Sequence, residues 1–496
     1  MVVLAADTSL TAELLTAYVA IATAAGTAFW AVARYLADRR AAREQQRVLA
    51  DQQLAQRRDE EVRGRQQRAA ELVKAVGDAK DDRGRRWTLS ALSLYPDETL
   101  DLLLNSLGDG SVEDAAAVKL AVISVGPAAL PRVVRVHRIA GQIARTAETD
   151  GGADVVASEQ RLIDTATAGR VRDCTREIIL QLVFQLDEEQ RETVDLADVD
   201  LTNVRLAGAR LSGISLRKTR LDRAVLVRAS LNGAVLRGAT LDGTSLRGTR
   251  LRKADLTGAS GAVHAIGVDL TGATLDHAKL AGSDLNAAHL EECSLAGTDL
   301  GKARLSGASL GRATLTRAHL VGVVARALRA PELTASDVDF SHAALEHAVL
   351  QGGVFDDCVL VRVGGTGVKA ASTTFTGCNF GGAHLDRASL AGARFLRCNL
   401  GGVDLTGTDL SSAVLEGCTV ASAELVGADL AEARFQDCRF SGNVDFTGAD
   451  LSTATFAGNE FREGTRLIVD NDSWTGIGDP TVRAQFERAQ AQPSDR

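Results

Sequence analysis

Aromatic residues make up only 4% of this 496-residue chain, and proline occurs six times. So few rings leave little with which to fill a conventional large globular core. Glycine is abundant at 47, but no G-x-y period accompanies it, which excludes collagen. The seven cysteines are an odd number and form no CxxC pair, which fits a reducing compartment better than a disulfide framework. A uniform excess of basic charge is also missing. The net charge is -8 and the pI near 5.6, which argues against a nucleic-acid binder with a uniformly basic face, and nucleic acid is not expected as a partner. No Ser-His-Asp elbow, metal pair or dinucleotide loop stands out. His264, His277, His342, His347 and His384 are scattered, and GGTGVK at 364–369 lacks the phosphate-loop spacing. No enzyme activity, catalytic residue, cofactor or metal is expected.

What is present is a period of five. A large apolar residue, here termed the centre, recurs at Leu196, Leu201, Leu206, Leu211 and onward to Leu256. The phase slips by one near Gly261–Ile266 and then holds from Leu270 to Phe440. One extra residue shifts it again, and Phe446, Leu451, Phe456 and Phe461 close the series. Two residues before each centre stands, nearly always, a small one, as at Ala234, Ala254, Ala303, Ala388 and Ala428. On an extended chain residues two apart face the same way, so both point inward. The other three positions hold Asp, Arg, Ser, Thr, Asn and Gly, which suits solvent and tight corners. A five-residue unit cannot stand alone and must stack on copies of itself.

The tandem motif reads ADLTG (254–258), AHLEE (288–292), TDLGK (298–302), VDLTG (403–407), ADLAE (428–432) and ADLST (449–453). It resembles the pentapeptide-repeat family, in a bacterial, membrane-anchored form. The resemblance covers residues 194–463. It implies a mainly β solenoid, a right-handed quadrilateral β-helix with four pentads per coil and one pentad per face. Residues twenty apart then stack in columns. Cys358, Cys378, Cys398, Cys418 and Cys438 keep that spacing, each two before a centre, and should form one internal ladder. Phe355, Phe375, Phe395 and Phe435 should form a second column on the preceding face. Buried thiols filling the slot that Ala fills elsewhere explain the ladder better than redox or metal chemistry. Residues 321–339 exchange large and small, with Ala325, Ala330 and Ala335 as centres and Val323, Leu328 and Leu333 two before them, so the coil should continue. Residues 361–372 read as a thinned coil.

The chain ahead of the repeats reads as all-α. Leu14–Ala33 carries no charge for twenty positions, with Tyr18, Trp30 and Tyr35 near its ends. Asp7 and Glu13 precede it, and Arg34, Arg39, Arg40, Arg43 and Arg47 follow. Length and flanks predict one transmembrane helix within 1–36, with the N-terminus outside and the bulk of the chain cytoplasmic, in a single-pass arrangement at the inner membrane. Residues 37–76 read as a solvated helical stalk. Residues 77–148 are similar to a HEAT-type helical module, 149–193 hold a linker and a helix that caps the repeats, and 464–496 a C-terminal cap and disordered tail.

Charge is polarised along the repeats. Leu201–Lys253 carries twelve basic residues against Asp222 and Asp242, whereas Gly401–Glu463 carries eleven acidic residues against Arg434, Arg439 and Arg462. The expectation is a non-catalytic, membrane-tethered scaffold for protein partners, with self-association into a homodimer left open. The alternative implied by the resemblance is a DNA mimic that binds DNA gyrase or another topoisomerase, inhibiting or protecting it. That alternative requires a continuous acidic surface.

Overall fold

The structure, a computed structural model, describes residues 8–78, 112–148, 165–470 and 473–491, with scattered positions between 91 and 107. The chain divides into two compact units, Met1–Leu102 and Leu103–Arg496.

In the first unit a single helix, α1, runs from Thr8 to Asp78. It crosses the expected boundary between anchor and stalk without a break, because Ala, Arg, Gln and Glu all favour helix. Residues 44–63 are exposed, Val48 and Val62 among them. The side chains of Leu14–Ala33, apart from Thr16 and Trp30, lie outside the described residues. Among the described residues no single helix is long and apolar enough to cross a membrane.

The second unit opens with α2 (Val112–Val125) and α3 (Leu130–Glu148), which bend by 109° around the Gly126–Pro127 turn. Gly126 takes φ 81, a left-handed value that suits glycine. The other helix pair expected in 77–148, around 87–107, lies largely outside the described residues, as does the linker at 149–158. Helix α4 (Thr165–Gln185) packs along α3. The short α5 (Glu188–Thr193) starts with a capping box formed by Asp187 and Gln190, and the chain then enters the repeats at Val194.

From there the chain coils. One ladder of parallel bridges climbs from Asp195 through Ser215, Val235 and Asp255 to Thr455, fourteen rungs in all. Three further ladders start at Asp200, Arg205 and Arg210, so each coil has four faces. At ~4.8 Å per rung the stack is roughly 60 Å long. Toward the C-terminal end the bridges widen into three-residue strands, and eight of these form one parallel sheet from Thr314–Thr316 to Thr455–Ala457. Pairing continues past Phe461, because Arg466–Ile468 joins Asn443–Asp445 on the third face.

Each pentad uses its backbone in the same way. The centre amide donates to the next coil, as Leu196 N–H to Ser215 O, and the amide two further on does likewise, as Asp198 N–H to Arg217 O. The small residue closes the corner, as Val199 N–H to Leu196 O, and the next amide reaches back one coil, as Ser215 N–H to Val194 O. The residue two after nearly every centre turns the corner with positive φ, whether glycine, as Gly208 at 70, or not, as Ala287 at 54. One amide per pentad, just after the centre, is left over. An Asp or Asn just before the centre accepts it, as Asp255 does from Thr257, Asn379 from Gly381 and Asp404 from Thr406. These acids therefore recur for a local hydrogen bond, and not only because the face is solvated.

The two weak stretches continue the coil. Val323, Ala325, Leu328, Ala330, Leu333 and Ala335 are all buried, and Arg304 still bridges Val324. Gly365 and Ala370 thin the interior, leaving an apolar void of about 20 Å³ beside Leu345, Val363 and Val368. The first slip is a four-residue step. Ser245 bridges His264 and Ser260 bridges Lys279, nineteen residues on instead of twenty. Gly261 makes that step with φ 121, and a Cβ there would fall on the Asp242 amide nitrogen. The second slip adds a residue, so Glu424 bridges Asp445 and Asp429 bridges Asp450.

Both ends are covered. Ile179 and Val183 of α4 lie over the first centres, Leu196, Leu201, Leu206 and Leu211, around a void of only about 10 Å³. At the other end Phe486 of α6 (Pro480–Ala491) is buried against Phe446, Phe456 and Trp474. The tail expected to be disordered shortens accordingly, since ordered helix reaches Ala491, and 492–496 lie outside the described residues. Gly261→Ala should destabilise the second unit by about 3 kcal/mol or more, because backbone would have to move. Ala287→Gly, at a corner already left-handed, should instead stabilise it by roughly 0.5–1 kcal/mol. Denaturant melts of the two variants measure both signs.

Candidate functional site

The repeats offer no deep pocket but a large ordered surface. The inward positions are uncharged and buried, so every charge in the coils projects from the face middles or corners. On the third face Asp404, Glu424 and Asp445 stack in consecutive coils, and on the fourth Asp409, Asp429 and Asp450 do the same. At the opposite end Arg205 begins the third face, and Arg210 and Arg250 stand on the fourth. Some charges pair within the chain: Arg237 with Asp255, Arg252 with Asp269, Arg312 with Glu292 and Arg326 with Glu346.

The joint between helices and repeats is the second distinctive place. His137 of α3 is 1% exposed. Its Nε2 accepts a hydrogen bond from the Asp200 amide at 3.1 Å, which places the ring proton on Nδ1. Nδ1 then donates toward Arg172 O at 3.1 Å and Thr175 Oγ1 at 3.0 Å. Burial lowers its pKa to about 4, against the opposing pull of Asp200. Next to it Arg138 donates to Ala197 O and reaches Asp195. A cleft of about 360 Å³ lies alongside, lined by Pro127, Pro131, Val134, Arg138, Gln190 and Asp195. With Arg138 engaged, it holds no converging acid and base. His137 carries no motif, and its role was not legible because its partners lie 35 to 63 residues away.

The pentapeptide-repeat family model matches in eight copies between residues 195 and 442. The repeat region belongs to the pentapeptide-repeat family. Solved structures similar to it include HetL, a pentapeptide repeat protein involved in heterocyst differentiation regulation from the cyanobacterium Nostoc sp. strain PCC 7120, at 24% identity over 55% of this chain and 89% of that one, TM-score 0.15. QnrB1, a plasmid-mediated fluoroquinolone resistance protein, is similar at 16% identity over 45% of this chain and 92% of that one, TM-score 0.20. A pentapeptide repeat protein of the Arabidopsis thaliana thylakoid lumen shows 23% identity over 25% and 66%, TM-score 0.09. No curated protein sequence matches.

Within the pentapeptide-repeat solenoid the singled-out columns are interior. Cys358, Cys378, Cys398, Cys418 and Cys438 are at most 2% exposed. Each thiol donates to a centre carbonyl of the preceding coil, twenty-three residues back, as Cys398 to Phe375 O at 3.3 Å. Cys293 does the same to Leu270 O, and Thr219, Thr244 and Thr373 do it with their hydroxyls. The slot therefore takes either a small apolar residue or a short donor. Burial pushes Cys293 up to about 12, and the hydrogen bond to Cys378 together with burial holds Cys358 above the usual thiol range. Phe355, Phe375 and Phe395 stack at 5.1 Å between centroids, Leu415 takes the next rung, and Phe435 stacks on Phe456. The five scattered histidines stay apart: His277, His342 and His347 turn corners, and His264 and His384 stand on the third face. Among the described residues no group of His, Cys, Asp and Glu is arranged to hold a metal ion.

Two outcomes follow. His137 stays neutral in the fold but charges below about pH 6.5 when unfolded. Its contribution is complete above that pH and is lost as pH falls toward 4, by about 3 kcal/mol. Melts of wild type and His137→Gln between pH 7 and 4 should show the steeper loss in wild type. With a thiol reagent under native conditions, only the half-buried Cys174 should react quickly. The other six thiols should appear only on unfolding.

Proposed function

We propose that the chain is a non-catalytic, membrane-tethered scaffold for protein partners, built on its pentapeptide-repeat solenoid. The observation that carries this is the division of every pentad: two positions sealed inside, three outside, with charge varied along four ordered faces. A repeated surface of this kind suits recognition of extended partners, as in other solenoids. The tether is α1, through the apolar run Leu14–Ala33 and the arginines after it. Its basic first coils, following the tether, suit a place near anionic lipid.

A DNA mimic is the weaker reading. The stacked acids of the third and fourth faces cover only the last coils, and the first coils carry Arg205, Arg210, Arg247 and Arg250 on the same faces. A duplex imitation needs acid along its length.

Full-length protein extracted from membranes in mild detergent should retain a partner in near-stoichiometric amount. A form beginning at Thr193 should retain the same partner if the solenoid is the binding surface. Absence from the membrane fraction would refute the tether, and retention of gyrase would reverse the ranking.

A further inference from the structure

We propose that the edge between the third and fourth faces, over the first coils, docks on an anionic lipid surface. This rests on the tethered reading above and names the part of the solenoid that meets the bilayer. The third face opens with Arg205, Val225, Ser245 and His264 in successive coils, and the fourth with Arg210, Ser230 and Arg250. The corner joining them carries Ala207–Gly208, Val227–Arg228, Arg247–Gly248 and Ile266–Gly267 in the same order. Arg205, Arg210, Arg228, Arg247 and Arg250 therefore gather within two rungs, roughly 10 Å along the axis. All five are exposed, and so are His264 and Ile266.

Among the described residues none of these five arginines forms an ion pair. Arg220, Arg237 and Arg252, elsewhere on the same coils, are held by Asp200, Asp255 and Asp269. The strip holds no acid before Asp269, in the fourth coil of the fourth face, and that carboxylate is the one that pairs with Arg252. On the other side Asp222 and Asp242, at the corner between the second and third faces, accept backbone amides of the next coil. The other corners flanking that strip's neighbours mix signs: Asp198 stands one coil before Lys218, and Asp222 adjoins Arg223.

The shape selects the partner. The arginines stand on both flanks of an outward edge, so they diverge and offer no common point to a single free phosphate. A headgroup layer, ~5–10 Å deep, takes diverging guanidinium groups on every side. Val227 and Ile266 line the crest among them. On a nucleic acid these two would gain nothing, whereas at a bilayer they reach toward the acyl boundary while the arginines stay among phosphates. Each arginine near an anionic leaflet strengthens binding about fivefold. A bilayer that already holds the tether raises the local lipid concentration, so a weak contact suffices.

The test is quenching of a fluorescent label by lipid. Full-length Cys174→Ser protein, reconstituted into vesicles, carries a bimane at Ser245→Cys beside the edge, or at Ala296→Cys on the diagonally opposite corner. The vesicles hold nitroxide-headgroup lipid in phosphatidylcholine, with or without about 30% phosphatidylglycerol. On anionic vesicles the Ser245→Cys label should be quenched at least about threefold more than the Ala296→Cys label, and about 500 mM salt should remove the difference. Arg228→Glu, Arg247→Glu and Arg250→Glu together should remove it at low salt. Arg317→Glu, Arg394→Glu and Arg397→Glu, an equal change of charge away from the edge, should leave it. Equal quenching of the two labels, quenching indifferent to lipid charge, or quenching that survives reversal of the edge would each overturn the proposal. So would an unquenched edge that binds a duplex oligonucleotide instead. Failure of the tether reads out separately, as protein that does not float with neutral vesicles, and the anionic vesicles still test the edge.

Discussion

Everything in the repeat region depends on one corner. A chain that turns every fifth residue must bend sharply once per pentad, and here the residue two after nearly every centre does so by entering the left-handed region. That conformation costs about 1 kcal/mol or more for a residue with a side chain. Many corners nevertheless carry Arg, Lys, Asp, Glu, His or Ala. What offsets the strain is hydrogen bonding along the axis, since the amide of the corner residue itself donates to the next coil, as Lys218 N–H does to Arg237 O. The coils therefore hold one another in a conformation that an isolated pentad would not keep.

This arrangement explains why the sequence was readable. Burial at two of five positions imposes Leu or Phe at one and a small residue at the other, with no tertiary context needed. Even the exchange at Val323/Ala325 and Leu333/Ala335 was legible, because summed volume is what the interior senses. The acid that stands just before many centres was visible as a motif but not as a bond, because the amide that it satisfies belongs to a corner whose geometry no composition rule describes. The cysteine slot was legible as small and buried. Its hydrogen bond to the preceding coil appeared only once Thr219 and Thr373 were seen making the same bond.

The ends were less legible for a physical reason. Repeats specify themselves, but a cap must match one particular terminal coil. Helix α4 announces itself by its apolar run, yet the residue that fixes its neighbour α3 to the second face is His137, a lone histidine in an arginine-rich helix. Phe486 likewise sits in a polar tail and is recognised only by the aromatic cluster that it completes.

The four-residue step at Gly261 has a bearing on how such a rod tolerates change. Below it and above it the ladders run straight, since His264 bridges Asp284 at the ordinary interval and the fourth face passes from Arg250 to Asp269 without a gap. In the vocabulary of crystals it is a point defect, not a dislocation: lattice order is recovered within one layer. Such a rod can lose or gain a single residue at one corner while its surface columns stay aligned. Any charge pattern written along a face is thus insulated from small insertions and deletions in the coil beneath it, provided that the residue at the fault has no side chain.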